Sequence, residues 1–265
     1  MRYGVIADVH GNLDALRVAV AELRRRDVSE FLVAGDLVGY GPYPNECVEE
    51  VSSLGGRCVA GNHDLIAIGE LSDDRCIPLA RQTLRWTAKV LSDDARSFLG
   101  ALPRWTTADG GVVLAHGSLD DPQEYTADVR AAIRQLTRLR DEAGAGSLLV
   151  LGHTHRPLAV GLQQGRHPTA GIVTLPVGDT VLLNPGAVGQ SRELRARARC
   201  LVLDLDRREA EFLALRYDVG ACRAALGRVG LPPESCHLRI STYRRVRRRL
   251  RRRPSGASAQ DAASP

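Results

Sequence analysis

Short apolar runs, most of which end in a polar cluster, constrain the fold of this 265-residue chain more than any other feature of its sequence. These runs lie at residues 3–7, 31–35, 58–61, 112–115, 148–152 and 181–183. Short runs that are rich in β-branched residues and bounded by glycine are typical of buried strands. The chain is therefore predicted to fold around strands that are covered on both faces.

Helical patterns lie between these runs. A helix is predicted after Asn12, a good N-cap residue, because apolar residues then recur at helical spacing. Further helices are predicted at residues 44–53, 75–89 and 92–101, and from Val129 to the glycine break at 144–146. Strands and helices thus alternate over the first half, which indicates an α/β layered fold. Residues 157–183 and 200–216 have instead the pattern of hairpin-like strands, so the sheet is expected to end antiparallel.

The polar residues that follow the apolar runs form one candidate site. In an open α/β sheet, ligands bind beyond the carboxyl ends of the strands. Several strands that deliver carboxylate, amide and imidazole groups to that edge would build a single metal or catalytic site. The residues in question are Asp8, His10, Asp36, Asn62, His63, His116, His153 and His155.

Two short motifs support metal binding. In an extended segment, residues i and i+2 point to the same face, so Asp8 with His10, and His153 with His155, can each present two donors to one centre. Mixed carboxylate and imidazole ligands suit Mn, Fe, Ni or Zn. The six cysteines are scattered, without a Cys-x-x-Cys pair, and are expected to be reduced thiols rather than zinc ligands.

The ordered set of motifs resembles the calcineurin-like metallophosphoesterase superfamily, in particular its small bacterial and archaeal phosphodiesterase branch. The resemblance spans residues 2–216 and implies a four-layer α/β/β/α sandwich with two mixed β-sheets. The motifs that carry it are DVH (8–10), GDLVGYG (35–41), GNHD (61–64), HG (116–117), GHTH (152–155) and NPGAVG (184–189).

The resemblance also implies a role for each motif residue around two divalent metal ions, with Mn²⁺ expected and Fe, Ni or Zn as alternatives. One ion would be held by Asp8, His10 and His155. The second would be held by Asn62, His116 and His153. Asp36 would bridge both ions, His63 would protonate the leaving oxygen, and Asp64 would orient His63 from behind.

The predicted function is a dinuclear phosphoesterase, with a preference for small-molecule or nucleotide phosphodiesters, acting through a metal-bound hydroxide. Gly39-Tyr40 stands where phosphoprotein phosphatases carry Asp-Arg, so a phosphoprotein substrate loses support. Two dications, two carboxylates, a hydroxide and a diester monoanion sum to zero charge. A phosphomonoesterase or a dinucleoside-polyphosphate hydrolase is the alternative on the same site, with Arg192 or Arg156 balancing the extra charge. A non-catalytic metal-binding interaction scaffold is the alternative of another class.

The net charge of +5 has one source, because residues 244–253 hold eight arginines and no acid. The predicted organisation is a metallophosphoesterase domain at 1–240 and an Arg-rich, disordered tail at 241–265. Such a run, Arg244–Arg253, can bind polyanions weakly and in a salt-sensitive way. A dedicated nucleic-acid or membrane tether is one interpretation, and a terminal extension without a dedicated partner is the favoured one. No apolar run is long enough for a membrane span, and no signal segment opens the sequence, so a cytoplasmic location is expected. The oligomeric state is not predicted.

Overall fold

The computed structural model describes residues 1–28, 30–144 and 147–239. Within them, the strands form two six-stranded sheets. The first sheet has the order β3 (Arg57–Cys58), β2 (Glu30–Val33), β1 (Arg2–Ile6), β11 (Ala198–Asp204), β12 (Glu209–Leu215) and β9 (Gly171–Thr174). The second has the order β4 (Trp105–Ala108), β5 (Val112–Ala115), β6 (Leu148–Val150), β10 (Val181–Asn184), β7 (Leu158–Gly161) and β8 (Gly165–Arg166).

Both sheets are mixed, as predicted. Strands β1, β2 and β3 are parallel, and β11, β12 and β9 extend that sheet in antiparallel fashion. In the second sheet, β5, β6 and β10 are parallel, whereas β4, β7 and β8 are added antiparallel. The late strands are therefore the antiparallel ones in the first sheet, in agreement with the hairpin-like pattern of the second half.

Helices cover the outer faces of the sheets. They are α1 (Leu13–Arg24), α2 (Pro44–Ser53), α3 (Asn62–Ala67), α4 (Pro78–Val90), α5 (Asp93–Ala101), α6 (Val129–Ala143) and α7 (Val219–Arg228), followed by a 3₁₀ turn at Pro233–Cys236. The Asn12 side chain caps α1 by accepting a hydrogen bond from the amide of Ala15, as its position predicts. Helix α4 begins at Pro78, three residues later than predicted, because proline favours the first turn. Helices α3 and α7 were not predicted.

Alternating side chains of the strands fill three apolar layers. In β1, Tyr3 and Val5 point into the layer between the two sheets, whereas Ile6 packs under the helices on the other face. In β6, Leu148 and Val150 face the other sheet, and Leu149 packs under α6. Because strand side chains alternate between faces, strands buried on both sides have continuous apolar sequences. The resulting order, helix, sheet, sheet, helix, confirms the four-layer α/β/β/α sandwich.

No helix in the described ranges is long and apolar enough to cross a membrane. The predicted division at residue 240 stays a prediction. The predicted tail at 241–265, with its arginine run, lies outside the described residues.

Candidate metal centre

Loops at the ends of five strands bring the predicted polar residues to one place. Parallel neighbours end at the same edge of a sheet, and this holds for β1, β2 and β3 and for β5 and β6. Asp8 and His10 follow β1, Asp36 follows β2, Asn62 and His63 begin α3 after β3, His116 follows β5, and His153 and His155 follow β6. All eight side chains are buried.

Two groups of potential ligand atoms share one carboxylate. The first group is Asp8, His10, Asp36 and His155, and the second is Asp36, His116 and His153, with ligand atoms within 4.8 Å of one another in each. The Oδ1 atom of Asn62 lies 3.2 Å from Nε2 of His116, which adds Asn62 to the second group. Asp36 Oδ2 lies 3.6 Å from His10 Nε2 and 3.2 Å from His116 Nε2. We call these seven residues the floor of the site.

Backbone carbonyl groups orient three of the floor histidines. His10, His116 and His155 use Nδ1 to contact the carbonyl oxygens of Val38, Ala34 and Gln190, at 3.0, 2.6 and 2.6 Å respectively. A carbonyl oxygen only accepts, so Nδ1 carries a proton and Nε2 points to the centre, where it offers a lone pair whenever the ring is neutral. The Nε2 atoms of His10 and His155 lie 3.1 Å apart. Two lone pairs that face each other at this distance repel unless a cation lies between them.

Two other floor atoms have no hydrogen-bond partner in the described part of the chain that would compensate for their burial, and a bound cation would provide that compensation. Asp8 Oδ2 and His153 Nε2 are buried without a hydrogen-bond partner among the described residues. Burial raises the pKa of Asp8 to about 7. Burial lowers the pKa of His116, but the charge and hydrogen bond of Asp36 outweigh burial and raise it to about 9. Orphaned carboxylate and imidazole atoms are suitable ligands for divalent transition ions, so the residues present fit such ions.

The floor residues have an unusual backbone. Asp8, His10, Asp36, His153 and His155 have φ values of 54°, 50°, 57°, 64° and 58°. The left-handed region is uncommon for residues other than glycine, and each occurrence costs about 1–3 kcal/mol. Such residues persist where the surrounding structure holds them. The strain is therefore concentrated in the loops that turn the ligand side chains toward the centre.

Two buried side chains hold these loops through the backbone. The Asp64 carboxylate accepts hydrogen bonds from the amides of Asp36 (2.8 Å), Leu37 (2.8 Å), Val38 (3.1 Å) and Gly61 (2.9 Å). Asn184 donates to the carbonyl oxygen of Gly152 at 2.6 Å and so holds the loop of His153. The expected contact of Asp64 with His63 is not found, and this corrects the assigned role. Its carboxylate is occupied by amides and supports the Asp36 loop instead.

His63 lies beside the floor. Its ring is 4.7 Å from the ring of His10 and 4.8 Å from that of Tyr40, measured between centroids. Its Nδ1 atom is buried without a hydrogen-bond partner among the described residues. Burial lowers the pKa of His63 to about 4. A bound anion would favour the protonated imidazole and raise this pKa again.

A cavity of about 160 Å³ opens above the floor. Its other lining includes Tyr40, Arg75, Cys76, Tyr125 and Arg192, which we call the wall. The Tyr125 ring lies 4.2 Å from that of His153, and Arg75 forms an ion pair with Asp121 at 2.6 Å. Sequence reasoning considered Tyr40 and Arg192 but missed Arg75, Cys76 and Tyr125. No motif or periodicity marks these three.

The last described segment connects two loops of the site. The Ser235 hydroxyl donates to the carbonyl oxygen of Tyr40 at 2.9 Å. The amide of Leu238 donates to the carbonyl oxygen of Ser191 at 3.0 Å, and His237 Nε2 contacts that of Glu193 at 2.9 Å. This segment therefore holds the loops of Tyr40 and Arg192 in place, a role that the sequence did not indicate.

Fold and site together define a class of protein: a phosphoric ester hydrolase with a buried Asp/His group suited to metal ions. The profile of the family described as calcineurin-like phosphoesterase matches residues 1–174. The chain belongs to this family, and the resemblance seen in its motifs is confirmed.

The chain is also similar to individual proteins and solved structures. Protein MJ0912 of Methanocaldococcus jannaschii is 30% identical over 220 residues, which are 81% of this chain and 87% of that protein. The crystal structure of a metallophosphoesterase from Sphaerobacter thermophilus is 33% identical, with a TM-score of 0.77, and covers 91% of this chain and 98% of that chain. A symmetrical bis(5'-nucleosyl)-tetraphosphatase from Psychromonas ingrahamii is 42% identical over 65 residues, 23% of each protein.

Proposed function

We propose that the protein is a dinuclear metal-dependent phosphoesterase that hydrolyses small-molecule or nucleotide phosphodiesters. Asp8, His10 and His155 would hold one ion, and Asn62, His116 and His153 the other. The observation that carries this proposal is the position of Asp36. Its Oδ2 atom lies within 3.6 Å of imidazole nitrogens from both groups, as a bridging carboxylate requires.

The ions would lower the pKa of a bound water and offset negative charge on the phosphoryl oxygens. Mn²⁺ is the expected ion, with Fe, Ni or Zn as alternatives, because the floor mixes carboxylate, amide and imidazole donors. The protein itself fixes the geometry. Backbone carbonyls hold His10, His116 and His155 with Nε2 toward the centre, so none of these three rings would have to reorient when an ion binds.

His63 is the proposed proton donor to the leaving oxygen. It lines the cavity beside the floor without belonging to either ligand group. Burial makes its imidazolium unfavourable, and an anionic phosphate beside it would favour protonation. The donor would thus be charged when substrate is present. Asp64 would act indirectly, by holding the loop of Asp36.

A second substrate class is favoured by one observation. Arg192 is buried in the cavity and adds a positive charge that the zero sum for a diester does not include. With this charge, a phosphate group with two negative charges balances the site. A phosphomonoester or a dinucleoside polyphosphate is therefore the second candidate, and the short match to a symmetrical bis(5'-nucleosyl)-tetraphosphatase points the same way.

The proposed location is the cytoplasm. All six cysteines are free in the structure, and five of them are buried. Free thiols persist in a reducing compartment, whereas oxidising compartments favour disulfides. Purification of the native protein, followed by thiol titration and cell fractionation, tests this location. Disulfide-linked cysteines in the native protein would contradict it.

The direct test compares bis(p-nitrophenyl) phosphate with p-nitrophenyl phosphate. Protein stripped of metal is assayed before and after addition of Mn²⁺, Fe²⁺, Ni²⁺ or Zn²⁺. Metal-dependent cleavage with preference for the diester supports the first candidate. Preference for the monoester supports the second, and cleavage of neither substrate by protein that binds two ions would contradict both.

A further inference from the structure

Arg192 is a wall residue that contacts the floor directly. Its side chain is only 4% exposed, and it lies in the loop that follows β10. One guanidinium nitrogen lies 3.4 Å from both the Tyr125 hydroxyl and the carbonyl oxygen of Thr154. The other terminal nitrogen lies 3.2 Å from Nε2 of His155. A buried guanidinium thus faces the same cavity as the ligand atoms.

The contact between Arg192 and His155 has a consequence for the loaded site. Arginine stays protonated in proteins and can only donate. The Nδ1 atom of His155 is engaged by the carbonyl oxygen of Gln190, so Nε2 offers one lone pair. If that lone pair were given to a metal ion, the guanidinium would lose this acceptor. The N–H group that contacts His155 would then face the cavity, next to added positive charge.

A guanidinium next to two bound dications is electrostatically unfavourable unless an anion lies between them. A guanidinium beside two dications in a buried site is repelled by them, and the repulsion is strong where water is excluded. The contacts to Tyr125 and Thr154, at 3.4 Å, and to the side-chain oxygen of Gln190, at 3.3 Å, are long for hydrogen bonds and correspondingly weak. A phosphate oxygen forms shorter, charge-assisted bonds with a guanidinium. The side chain is therefore poised to exchange its present contacts for a bound phosphate.

We propose that Arg192, positioned by Tyr125, binds a second negative charge next to the reacting phosphorus. The site would then select a dianionic phosphate group, or one with an anionic phosphate neighbour, over an isolated diester. This inference rests on the proposed function, because it takes the cavity above the floor as the reaction site. It favours the second of the two candidate substrate classes, phosphomonoesters and phosphoanhydrides such as dinucleoside polyphosphates, over the diesters of the first.

The test compares Arg192→Gln, Arg192→Lys and Tyr125→Phe with the wild type. Arg166→Gln is the matched control, because Arg166 is an exposed arginine that lines a separate groove. The substrates are p-nitrophenyl phosphate, bis(p-nitrophenyl) phosphate and bis(5'-adenosyl) tetraphosphate, at about pH 8, where the monoester is a dianion. Binding of inorganic phosphate to the Mn²⁺-loaded protein is measured by calorimetry, and metal content by mass spectrometry.

For Arg192→Gln, kcat/KM on the monoester is expected to fall by about 10- to 100-fold, the usual worth of a hydrogen bond to a charged group. The kcat/KM for bis(p-nitrophenyl) phosphate is expected to change by less than about 3-fold. The Kd for inorganic phosphate is expected to rise by a factor similar to the fall in kcat/KM on the monoester. Arg192→Lys should recover part of the loss, because it keeps the charge without the planar fork. Metal content should remain that of the wild type.

The tetraphosphate identifies the source of the second charge. If kcat/KM of the Arg192→Gln variant falls on both the tetraphosphate and the monoester, Arg192 binds a second charge from either source. If kcat/KM falls on the monoester only, Arg192 binds a terminal phosphate. An equal loss on all three substrates, or an unchanged Kd for phosphate, would overturn the proposal. If the wild type cleaves none of them, the proposed function fails, while the phosphate titration still decides the role of Arg192. Should Arg192→Gln not fold, the Arg192→Lys substrate ratios give the same decision.

Discussion

The floor and the wall of the site are built in different ways. Floor side chains come from the ends of strands, and backbone groups hold them, as the carbonyl oxygens of Val38 and Ala34 do for His10 and His116. Wall side chains come from loops, and contacts with other side chains contribute to holding them. Tyr125, for example, contacts His153 through its ring and Arg192 through its hydroxyl.

This difference indicates that the floor serves metal binding and the reaction, whereas the wall serves the choice of substrate. Main-chain anchors and left-handed backbone at Asp8 and Asp36 allow little movement, which suits ligands that must keep a fixed geometry. Side-chain anchors at 3.4 Å can be exchanged, which suits residues that contact a substrate. Floor variants are therefore expected to lose metal and all activity together. Wall variants are expected to change the choice of substrate and to keep the metal.

The largest effect is expected for Asp36→Asn. The change removes the carboxylate shared by both ligand groups, so both ions should be lost and kcat/KM should fall by about 10,000-fold on every substrate. Metal content by mass spectrometry and rates on both p-nitrophenyl esters measure this. Asp109→Asn, at an exposed position, is the control. Loss of one ion only would refute the bridging position of Asp36.

The second largest effect is expected for His63→Ala, which tests whether His63 is a proton donor or a metal ligand. His63→Ala is expected to reduce kcat by roughly 100- to 1,000-fold, as removal of a general acid does, with metal content near that of the wild type. His167→Ala is the control, since His167 belongs to neither ligand group. If the His63 variant also loses metal, His63 is part of the floor and its assignment as proton donor is wrong.

Gly39 precedes the wall residue Tyr40 and lies against the ring of His63. Comparing Gly39→Ala with an alanine variant of an open glycine separates the effect of backbone strain from that of contact with His63. A Cβ atom at Gly39 would lie 2.3 Å from Nδ1 of His63, whereas one at Gly55 would meet nothing within 4 Å. Both glycines have positive φ, so each alanine variant should lose about 1 kcal/mol of unfolding free energy from backbone strain, and Gly39→Ala should lose more because the ring of His63 must shift. Only Gly39→Ala should also reduce kcat, by about 10- to 100-fold.

Urea unfolding and steady-state kinetics on both variants give the comparison. Equal activity of Gly39→Ala and Gly55→Ala would show that the ring of His63 has room to move. In that case the position of His63 depends on Tyr40 and His10 rather than on the glycine beneath it.

The smallest effect is expected for Ser235→Ala. This change removes one neutral hydrogen bond to the carbonyl oxygen of Tyr40, so it should lower the free energy of unfolding by about 1 kcal/mol. With the Tyr40 loop less well held, kcat/KM should fall by about 2- to 5-fold. Ser52→Ala, on an exposed face of α2, is the control. A loss of metal in Ser235→Ala would contradict the separation of wall and floor.

Particular residues show how far sequence reasoning reached. Asp8, Asp36 and His116 could be found because each follows a recognisable apolar strand, and Asn12 because an N-cap precedes a helical pattern. Asp64 was found but given the wrong contact. Its carboxylate could reach the imidazole of His63 or the amides of the Asp36 loop, and only the packing of α3 against that loop decides between them.

The sequence by itself determined the layered fold and the identity of the floor residues, because strand periodicity and polar strand ends are local properties of the chain. Only the tertiary structure decided the wall. Tyr125 and Arg192 are separated by 67 positions and lie in loops without periodicity, yet they meet over His153 and His155. Their meeting depends on the packing of loops from distant parts of the chain, which a local pattern does not encode.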